Sequence, residues 1–308
     1  MTAFIRTEGL SKWYGNVLGL SDVTLEIGPG ITGLLGPNGA GKSTFLKLIT
    51  GQMKPSIGRA TIDGRDIWNQ YPVFKRLGFC PEQDAFYEEM TGWEFLRRLL
   101  GLHGFPRAES DSRAEEALRF VELSGDKDRL IRGYSRGMRQ RLKFAQAIAH
   151  DPEIMILDEP LNGLDPLSKR KVIRLIKEYK DAGKTIIVSS HVLPEIEALT
   201  RTIVLVHQGK ILARGDIHDI RDLIDKHPHM ISVKTHDSRN LAASFVGEPT
   251  VSNIRFGPAP DAVVFETKDR DRFFALLMRL IAERKIEVEE ITSPDDNLQA
   301  VFDYLIGK

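Results

Sequence analysis

The stretch GPNGAGKST, residues 36–44, decides how this chain of 308 residues folds. It follows the short apolar run GITGLLG at 30–36 and precedes KSTFLKLIT, a predicted helix that Gly51 ends. A buried strand, a glycine-rich turn and a helix in this order form a phosphate-binding loop of the pattern G-x-x-x-x-G-K-[ST]. The glycines let backbone N–H groups turn toward phosphate oxygens, and the helix N-terminus adds partial positive charge. The stretch therefore predicts an α/β nucleotide-binding core.

The side chains of this loop have separate tasks in binding a nucleotide. Lys42 would reach the β- and γ-phosphates, and the hydroxyl of Ser43 would ligate Mg²⁺. We therefore predict a nucleoside triphosphate and Mg²⁺ as the cofactors. The residues predicted to line the nucleotide are Asn38, Gly39, Ala40, Gly41, Lys42, Ser43 and Thr44.

A pair of acidic residues follows the next clear buried strand. The apolar run EIMIL at 153–157 leads directly into Asp158 and Glu159. Ligands of open α/β sheets bind at the carboxyl ends of the strands, so both carboxylates would face the phosphates. Asp158 is predicted to hold Mg²⁺ through its water shell. Glu159 is predicted to orient and deprotonate the attacking water.

Further strands and helices alternate along the first two thirds of the chain. A helix is predicted to begin at Asp165-Pro166 and to end at Gly183, and helical patterns extend over 86–123. Asp63-Gly64 and Gln208-Gly209 mark hairpins. This alternation predicts a mainly parallel sheet wrapped by helices. The other predicted strands are TIIVSS (185–190), TIVLV (202–206) and KILAR (210–214).

The rhythm of the sequence changes near His227-Pro228. The tail is predicted to have the order β-α-β-β-α-β of a split βαβ, ferredoxin-like domain, followed by one more helix. We therefore expect a cassette at 1–227 and a small accessory or regulatory α+β domain at 228–308. The predicted tail strands are 231–235, 251–257, 262–268 and 287–292, and the helices are 239–246, 270–284 and 297–306.

The composition is that of an ordinary globular protein. The chain has 43 Lys and Arg and 43 Asp and Glu, so no bulk attraction to nucleic acid is implied. We find no secretory signal at the N-terminus and no run of about 18 apolar residues that would span a membrane. The single cysteine, Cys80, is interpreted as a small apolar residue that ends a strand. A membrane function would need another chain to supply the spans.

Several further motifs resemble those of the ABC (ATP-binding cassette) family, in the family's order and spacing over residues 4–215. YSRGMRQ at 134–140 resembles the signature usually written LSGGQ, in an S-x-G-x-x-Q form. Asn162 to Asp165 resembles the D-loop, and Ser189-Ser190-His191 ends a strand as the family's switch histidine does. Gln83 in PEQD matches the Q-loop, and Tyr14 in KWYG matches the adenine-stacking aromatic. The resemblance implies a RecA-like core, an antiparallel β subdomain and a helical subdomain.

The resemblance also implies roles for these residues. Tyr14 would stack on adenine, and Gln83 would sense Mg²⁺ and the attacking water. Ser135 and Gly137, at a helix N-terminus, would bind the γ-phosphate held by the opposite subunit. Asp165 would link the two sites of a dimer, and His191 would hold the γ-phosphate and the water. We expect a head-to-tail dimer, either a homodimer or a pair with a similar ATPase subunit.

Two positions of the signature depart from the family pattern. Arg136 replaces the usual second-position Gly, and Tyr134 replaces Leu. The sequence leaves open whether Arg136 lies beside the phosphates or points outward. The helix after Gly137 has three basic residues, Arg139, Arg141 and Lys143, which we interpret as a solvated face.

The segment after Gln83 resembles ATPases of exporters whose membrane subunit is a separate chain. In those proteins a groove accepts a short helix of the membrane subunit, and Phe86, Tyr87, Met90 and Trp93 are predicted to line it here. We therefore expect a transmembrane permease as partner, no nucleic acid, and a location at the cytoplasmic face of the cell membrane. Export is favoured over import by the resemblance alone.

Two alternative functions are opposed by features of the sequence. A nucleic-acid or ribosome-associated ABC protein would have long coiled coils or two cassettes, and we find neither in the sequence. The intact Glu159 and His191 argue against a chain that binds ATP but hydrolyses it poorly. The tail could regulate the motor, aid dimerisation or contact a partner, and its histidines show no spacing typical of a metal site.

Overall fold

The computed structural model describes residues 4–217, 229–257, 261–284 and 286–293. The chain divides into two compact units, Met1–Gly215 and Asp216–Lys308. The boundary predicted from sequence, between 227 and 228, falls outside the described residues. The two units are described separately below.

The first unit contains an antiparallel sheet in the order β2-β1-β4-β5. Its two long strands occupy a region for which no strand was predicted. The missed signal is in β2, where Val23, Leu25 and Ile27 are buried and alternate with exposed residues, the period-two pattern of a strand with one buried face. The strands are β1 (Ile5–Tyr14), β2 (Val17–Ile27), β4 (Ile57–Ile62) and β5 (Arg65–Asp66).

The second sheet of this unit has six strands in the order β10-β9-β3-β8-β7-β6. The pairs of β3 with β8 and β9, of β8 with β7, and of β7 with β6 are parallel. Strands β7 and β8 are buried at every residue, as expected for parallel strands covered on both faces. The strands are β3 (Gly30–Leu35), β6 (Leu77–Cys80), β7 (Ile154–Leu157), β8 (Thr185–Ser190), β9 (Thr202–His207) and β10 (Lys210–Asp216). The predicted parallel α/β core is confirmed.

Three helices among the described residues of the first unit begin at side-chain caps. Thr91 and Glu94 form a capping box at the start of α3, and Asp165 caps α6 as the sequence predicts. The helical stretch predicted at 86–123 consists of two helices, α3 and α4. The helices are α1 (Lys42–Ile49), α2 (Tyr71–Phe74), α3 (Gly92–Leu102), α4 (Arg107–Phe120), α5 (Arg136–Ile148), α6 (Pro166–Asp181) and α7 (Leu193–Glu197).

The second unit has four antiparallel strands in the order β12-β13-β11-β14. Its elements are β11 (His229–Lys234), α8 (Ser238–Phe245), β12 (Val251–Phe256), β13 (Ala262–Thr267), α9 (Arg270–Arg284) and β14 (Glu290–Thr292). They follow one another as β-α-β-β-α-β. Strand β14 is shorter than the predicted 287–292, because its pairing with β11 begins only at Glu290. The helix predicted at 297–306 lies outside the described residues.

This unit has a hydrophobic core of its own. Phe245, Phe265 and Phe273 meet with ring centroids 4.6–5.2 Å apart. Leu277 is fully buried in the same cluster, and Phe274 packs against it. Aromatic contacts of this kind add to the stability gained from burial alone.

Candidate functional site

Three segments converge at the carboxyl edge of the six-stranded sheet. Strands β3, β8 and β7 are neighbours and run parallel, so the residues that follow them share one edge. The glycine-rich loop 36–41 and α1 follow β3, His191 follows β8, and Asp158 and Glu159 follow β7. This edge is where open α/β sheets bind ligands. We call these residues the catalytic edge.

The glycine-rich loop delivers an uncapped helix to this edge. Gly41 has φ 105°, and a Cβ there would lie 2.8 Å from the carbonyl oxygen of Gly19, so only glycine fits. No side chain caps α1 at this position, whereas Ser135 and Asp165 cap α5 and α6. The first N–H groups of α1 lack intrahelical partners, and an anion would satisfy them.

Lys42 is a buried cation at the start of this helix. Its side chain is only 6% exposed, and Nζ lies 3.2 Å from Oε1 of Glu159. Nζ also donates hydrogen bonds to the carbonyl oxygens of Gly36 at 2.6 Å and Pro37 at 3.3 Å. The lysine is therefore already held at the mouth of the loop, with its charge directed toward the acidic pair.

The two carboxylates are positioned by Ser189 of β8. Its hydroxyl donates to Oδ1 of Asp158 at 2.6 Å and accepts from the backbone N–H of Glu159 at 2.9 Å. The backbone of Glu159 has φ 48°, an uncommon value for a residue other than glycine. Such strained positions cluster at functional sites. Sequence reasoning placed Ser189 in the switch motif but missed this bridging contact.

His191 completes the cluster. Its Nδ1 lies 3.0 Å from Oε2 of Glu159, which makes the carboxylate the centre of a Lys42–Glu159–His191 arrangement. Asp158 and Glu159 are buried, whereas the His191 side chain is 35% exposed. The three side chains that the sequence selected for phosphate binding, base catalysis and switching are thus in direct contact.

The donor set of this edge suits ATP with Mg²⁺. Oε1 of Glu159 is buried and, apart from its ion pair with Lys42, has no hydrogen-bond partner among the described residues. No group of three or more His, Cys, Asp or Glu side chains in the described parts of the chain forms a metal cluster. Magnesium commonly takes one or two carboxylates together with substrate phosphates and waters rather than a protein cage. Ser43 at the start of α1 and Asp158 are the side chains that would hold it.

Tyr14 lies beside the same helix. Its hydroxyl is 3.2 Å from Oγ1 of Thr44 and 3.2 Å from Sδ of Met53, and the residue is 44% exposed. Its ring packs so closely on Gly19 that a Cβ there would approach Cε2 within 2.6 Å. A partly exposed ring next to α1 can offer a flat surface to a base.

The signature segment, defined as 134–140, and the D-loop, 162–165, form a second group, whose exposed residues are Ser135, Arg136, Asn162, Gly163 and Asp165. The Ser135 hydroxyl accepts from the Met138 N–H at 3.3 Å and so caps α5. Asp165 accepts from the backbone N–H groups of Leu167 and Ser168, each at 3.0 Å, and its pKa is lowered by its hydrogen bonds with Ser168. No hydrogen bond among the described residues joins this group to Lys42 of the same chain.

Gly137 lies close to the start of α6. A Cβ at this position would lie 2.7 Å from Oγ of Ser168, so a side chain would displace that hydroxyl, which donates to Asp165 at 2.6 Å. The glycine therefore preserves the cap of α6 beside the signature segment.

Gln83 is exposed in the Q-loop, defined here as 81–84. Its side chain forms no hydrogen bond with another described residue, so the structure does not bring it into contact with Ser43 or Asp158. Its two neighbours are held firmly instead. Lys143 donates to the carbonyl oxygen of Glu82 at 2.8 Å and lies 3.1 Å from Oδ1 of Asp84.

The interpretation of the basic side of α5 as a solvated face is wrong. Lys143 is only 4% exposed, because its ammonium is turned into the Q-loop. Arg139 donates to both carboxylate oxygens of Glu88 at 2.7 Å, which lowers the pKa of Glu88. Arg141 donates to the carbonyl oxygens of Val121 and Glu122. A one-dimensional pattern cannot show which charged side chains find partners in distant segments.

The predicted groove residues surround the start of α3. Phe86 packs edge-on against Phe95 at 5.2 Å between centroids, and Arg97 lies 4.8 Å above the ring of Trp93. Met90 is half-buried, whereas Tyr87 is 66% exposed. Phe86 is therefore partly a packing residue, and Tyr87 is the most accessible of the four predicted residues.

Comparison with known proteins agrees with this geometry. Residues 20–162 match the family model described as ABC transporter. The bacitracin transport ATP-binding protein BcrA of Bacillus licheniformis is 30% identical over 313 residues, which cover 100% of this chain and 98% of BcrA. The chain belongs to the ABC transporter family. Proteins of this family hydrolyse ATP.

Other members of the ABC transporter family match part of the chain. An uncharacterized ABC transporter ATP-binding protein of Nostoc is 40% identical over 66% of this chain, but the chain spans only 62% of that relative's length. A solved ATP-binding subunit of an ABC transporter superposes with a TM-score of 0.65 and 32% identity, over 72% of this chain and 93% of the other. The cassette fold predicted from the ABC motifs is confirmed. Among the described residues, no helix is both long and apolar enough to cross a membrane.

Proposed function

We propose that this chain is the ATP-hydrolysing subunit of an ABC transporter and drives export through a separate transmembrane subunit. The observation that supports this most directly is that Glu159, at the carboxyl edge of the sheet, contacts both Lys42 and His191. A phosphate-binding cation and a histidine thus flank a carboxylate base, an arrangement suited to phosphoryl transfer to water.

Each residue of the catalytic edge has a distinct task. The uncapped N–H groups of α1 and the Lys42 ammonium would bind the β- and γ-phosphates. Glu159 would accept the proton of the attacking water through the carboxylate that now faces Lys42 and His191. His191 would hold the γ-phosphate and the water in line with that carboxylate. Tyr14, beside Thr44, would stack on the adenine ring.

The bound Mg²⁺ would neutralise the charge that develops on the phosphate oxygens. Ser43 and Asp158 would hold it, and Ser189 keeps Asp158 in place through its short hydrogen bond. Gln83 is exposed beside this edge and would join this set in the closed, nucleotide-bound dimer.

Completion of the site would come from a second cassette. Ser135 and Asp165 are exposed, and both belong to helix starts that favour anions. The cap at Ser135 uses its oxygen as an acceptor, which leaves its O–H proton to donate to a γ-phosphate held by the opposite subunit. We infer a head-to-tail pair, with this chain or a similar ATPase subunit as partner.

The membrane partner and the direction of transport are inferred from the relatives and from one surface. BcrA is named for the transport of bacitracin, and export of such a compound would place this chain at the cytoplasmic face of the cell membrane. The partly exposed apolar side chains of Tyr87, Met90 and Trp93 would receive a short helix of the permease. The tail, 228–308, would be an accessory domain that regulates the motor, aids dimerisation or contacts a partner.

Co-expression with a candidate permease tests the transport proposal, and a neighbouring gene that encodes about six apolar spans would supply one. We expect the two chains to co-purify in detergent and the complex to hydrolyse ATP faster than the isolated chain. Tyr87→Glu should reduce co-purification, while Arg119→Ala, at an exposed residue of α4, should not. A complex that forms equally well with Tyr87→Glu contradicts the docking surface. A chain that neither associates with the permease nor is stimulated by it contradicts the transport function.

A further inference from the structure

Arg136 occupies an unexpected place in the signature segment. It stands where the family pattern has a glycine, in the first turn of α5 directly after the cap Ser135. The residue is exposed, but its guanidinium does not extend freely into solvent. Its Nη2 donates a hydrogen bond to the carbonyl oxygen of Asn162 in the D-loop at 3.0 Å.

The D-loop is shaped to accept this guanidinium. Gly163 has φ 65°, and a Cβ at this position would lie 2.0–2.4 Å from the guanidinium atoms of Arg136. The backbone of Gly163 therefore makes room for the arginine in two ways, through its conformation and through its missing side chain. A glycine at 136 could make neither the contact nor the hydrogen bond.

Asn162 extends the contact to the Q-loop. Its Nδ2 donates to Oε1 of Glu82 at 3.3 Å. The carbonyl oxygen of Glu82 in turn accepts from Lys143, and Lys143 lies seven residues after Arg136 on the same helix. The contacts thus form a closed circuit from α5 through the D-loop and the Q-loop back to α5.

Gln83 lies within this circuit. Its neighbours are Glu82, which contacts Asn162 and Lys143, and Asp84, which pairs with Lys143 at 3.1 Å. Arg136 donates one hydrogen bond and packs its planar guanidinium on Gly163, and a planar guanidinium loses little freedom for each hydrogen bond it forms. A displacement of any one segment would strain the contacts of the other two.

We propose that Arg136 is a positioning residue for the ATPase reaction. It fixes the D-loop against the signature segment and, through Asn162 and Glu82, sets the position of Gln83. This inference rests on the proposed function, because it assumes that these segments contact nucleotide in the closed dimer. The surface that meets the partner's ATP is thereby coupled to the loop that senses the chain's own ATP.

A double-mutant cycle tests this coupling. We expect Arg136→Ala and Glu82→Ala each to lower turnover about tenfold, the order of effect of a lost hydrogen bond to a charged group. Both variants should bind Mg-ATP to the monomer with wild-type affinity, since neither residue touches the catalytic edge. The double variant should be no slower than the slower single variant.

If the two losses of turnover multiply in the double variant, the proposal is overturned. Arg136 would then act independently of Glu82, for example by direct contact with a partner's phosphate. Turnover of Arg136→Ala within twofold of wild type would overturn it too. Gly163→Ala offers a second route, because it expels the guanidinium while keeping the charge, and it should also be non-additive with Glu82→Ala. Arg119→Ala and Glu116→Ala, exposed on α4, serve as matched controls.

Hydrogen exchange of the nucleotide-free chain separates this proposal from the proposed function. In Arg136→Ala we expect faster amide exchange at both 162–165 and 82–84, with unchanged exchange in α4. Exchange that changes in the D-loop alone would overturn the link to the Q-loop. The wild-type chain could lack ATPase activity while Arg136→Ala still exchanges faster at both segments. That result would contradict the proposed function and leave the circuit of contacts intact.

Discussion

The side chains around Lys42 and those around Ser135 lie in opposite environments. Lys42 and Glu159 are at most 7% exposed and pair with each other. Ser135, Asn162 and Asp165 are exposed, and their hydrogen bonds are made within the helix start or with neighbouring loops. The comparison teaches that one half of the site is preformed inside the chain. The other half is a surface, and we propose that a second cassette faces it.

The buried half should also be the more sensitive to substitution. A charge that is removed from a buried pair leaves its partner without compensation, which costs far more than the loss of an exposed contact. Substitutions in the exposed half should cost little fold stability. They should lower activity when they change the geometry of this surface. The following predictions test this contrast in order of decreasing effect.

The largest effect is expected for Glu159→Gln. The variant loses the base but frees Lys42 from its carboxylate partner, so ATP should bind at least as tightly as in the wild type. Hydrolysis should fall by about 100-fold or more. Phosphate release and light scattering in ATP should show a slow enzyme that accumulates as a dimer. Near-normal turnover would contradict the role of Glu159.

Lys42→Ala should lower ATP affinity as well as rate. Removal of a charged donor to phosphate is expected to weaken binding by about 10- to 100-fold. Calorimetry measures this directly. Lys47→Ala, an exposed lysine on the same helix, is the matched control and should bind normally. Equal affinities for the Lys42→Ala and wild-type chains would argue against phosphate binding at α1.

A third prediction separates burial from function. His150 lies beyond the end of α5 and stacks on His103, with 4.3 Å between ring centroids. Its Nε2 lies 2.9 Å from the carbonyl oxygen of Leu77. Burial, together with the nearby His103, lowers the pKa of His150 to about 4. In the unfolded chain the imidazole of His150 binds a proton near pH 6.5. The contribution of His150 to the free energy of unfolding is therefore full above that pH and is lost as the pH falls toward 4.

We therefore expect the free energy of unfolding to fall by about 2 kcal/mol from this residue between pH 7 and pH 5. Urea unfolding at the two pH values measures it, and His150→Asn should reduce the difference. ATP affinity at pH 7 should be the same in both proteins, because His150 does not touch the catalytic edge. An unchanged pH dependence in the variant would show that His150 is not the group that titrates.

The smallest effect is expected for removal of the tail. Every residue proposed to contact nucleotide, from Tyr14 to His191, precedes residue 228, and the second unit has a core of its own. A chain of residues 1–227 should therefore fold and bind Mg-ATP with unchanged affinity. Calorimetry and thermal unfolding compare it with the full chain. An insoluble fragment, or one that cannot bind ATP, would make the tail part of the motor's core.

The sequence predicts the catalytic edge well because local rules determine it. A glycine pattern between a strand and a helix sets the position of Lys42, and an apolar run followed by two acids sets that of Glu159. Parallel pairing of β3, β8 and β7 then brings them together.

The exposed half was predicted less completely, because it depends on contacts between distant segments. Nothing in the local pattern shows that Lys143 turns into the Q-loop 61 residues away or that Arg136 packs on Gly163. A helix face with three basic residues usually faces water, and here tertiary contacts override that expectation. Similarly, the long strand β1 was missed because its apolar residues do not alternate cleanly.

We propose that the exposed half completes the site of a second chain. The dependence of the ATPase rate on protein concentration is the direct test of this proposal. We predict that the rate per chain rises with concentration from the nanomolar range upward, together with ATP-dependent dimers in light scattering. A Ser135→Arg variant, which blocks the surface, should bind Mg-ATP normally and show no such rise. A rate strictly proportional to wild-type concentration, with only monomers in solution, would contradict the claim.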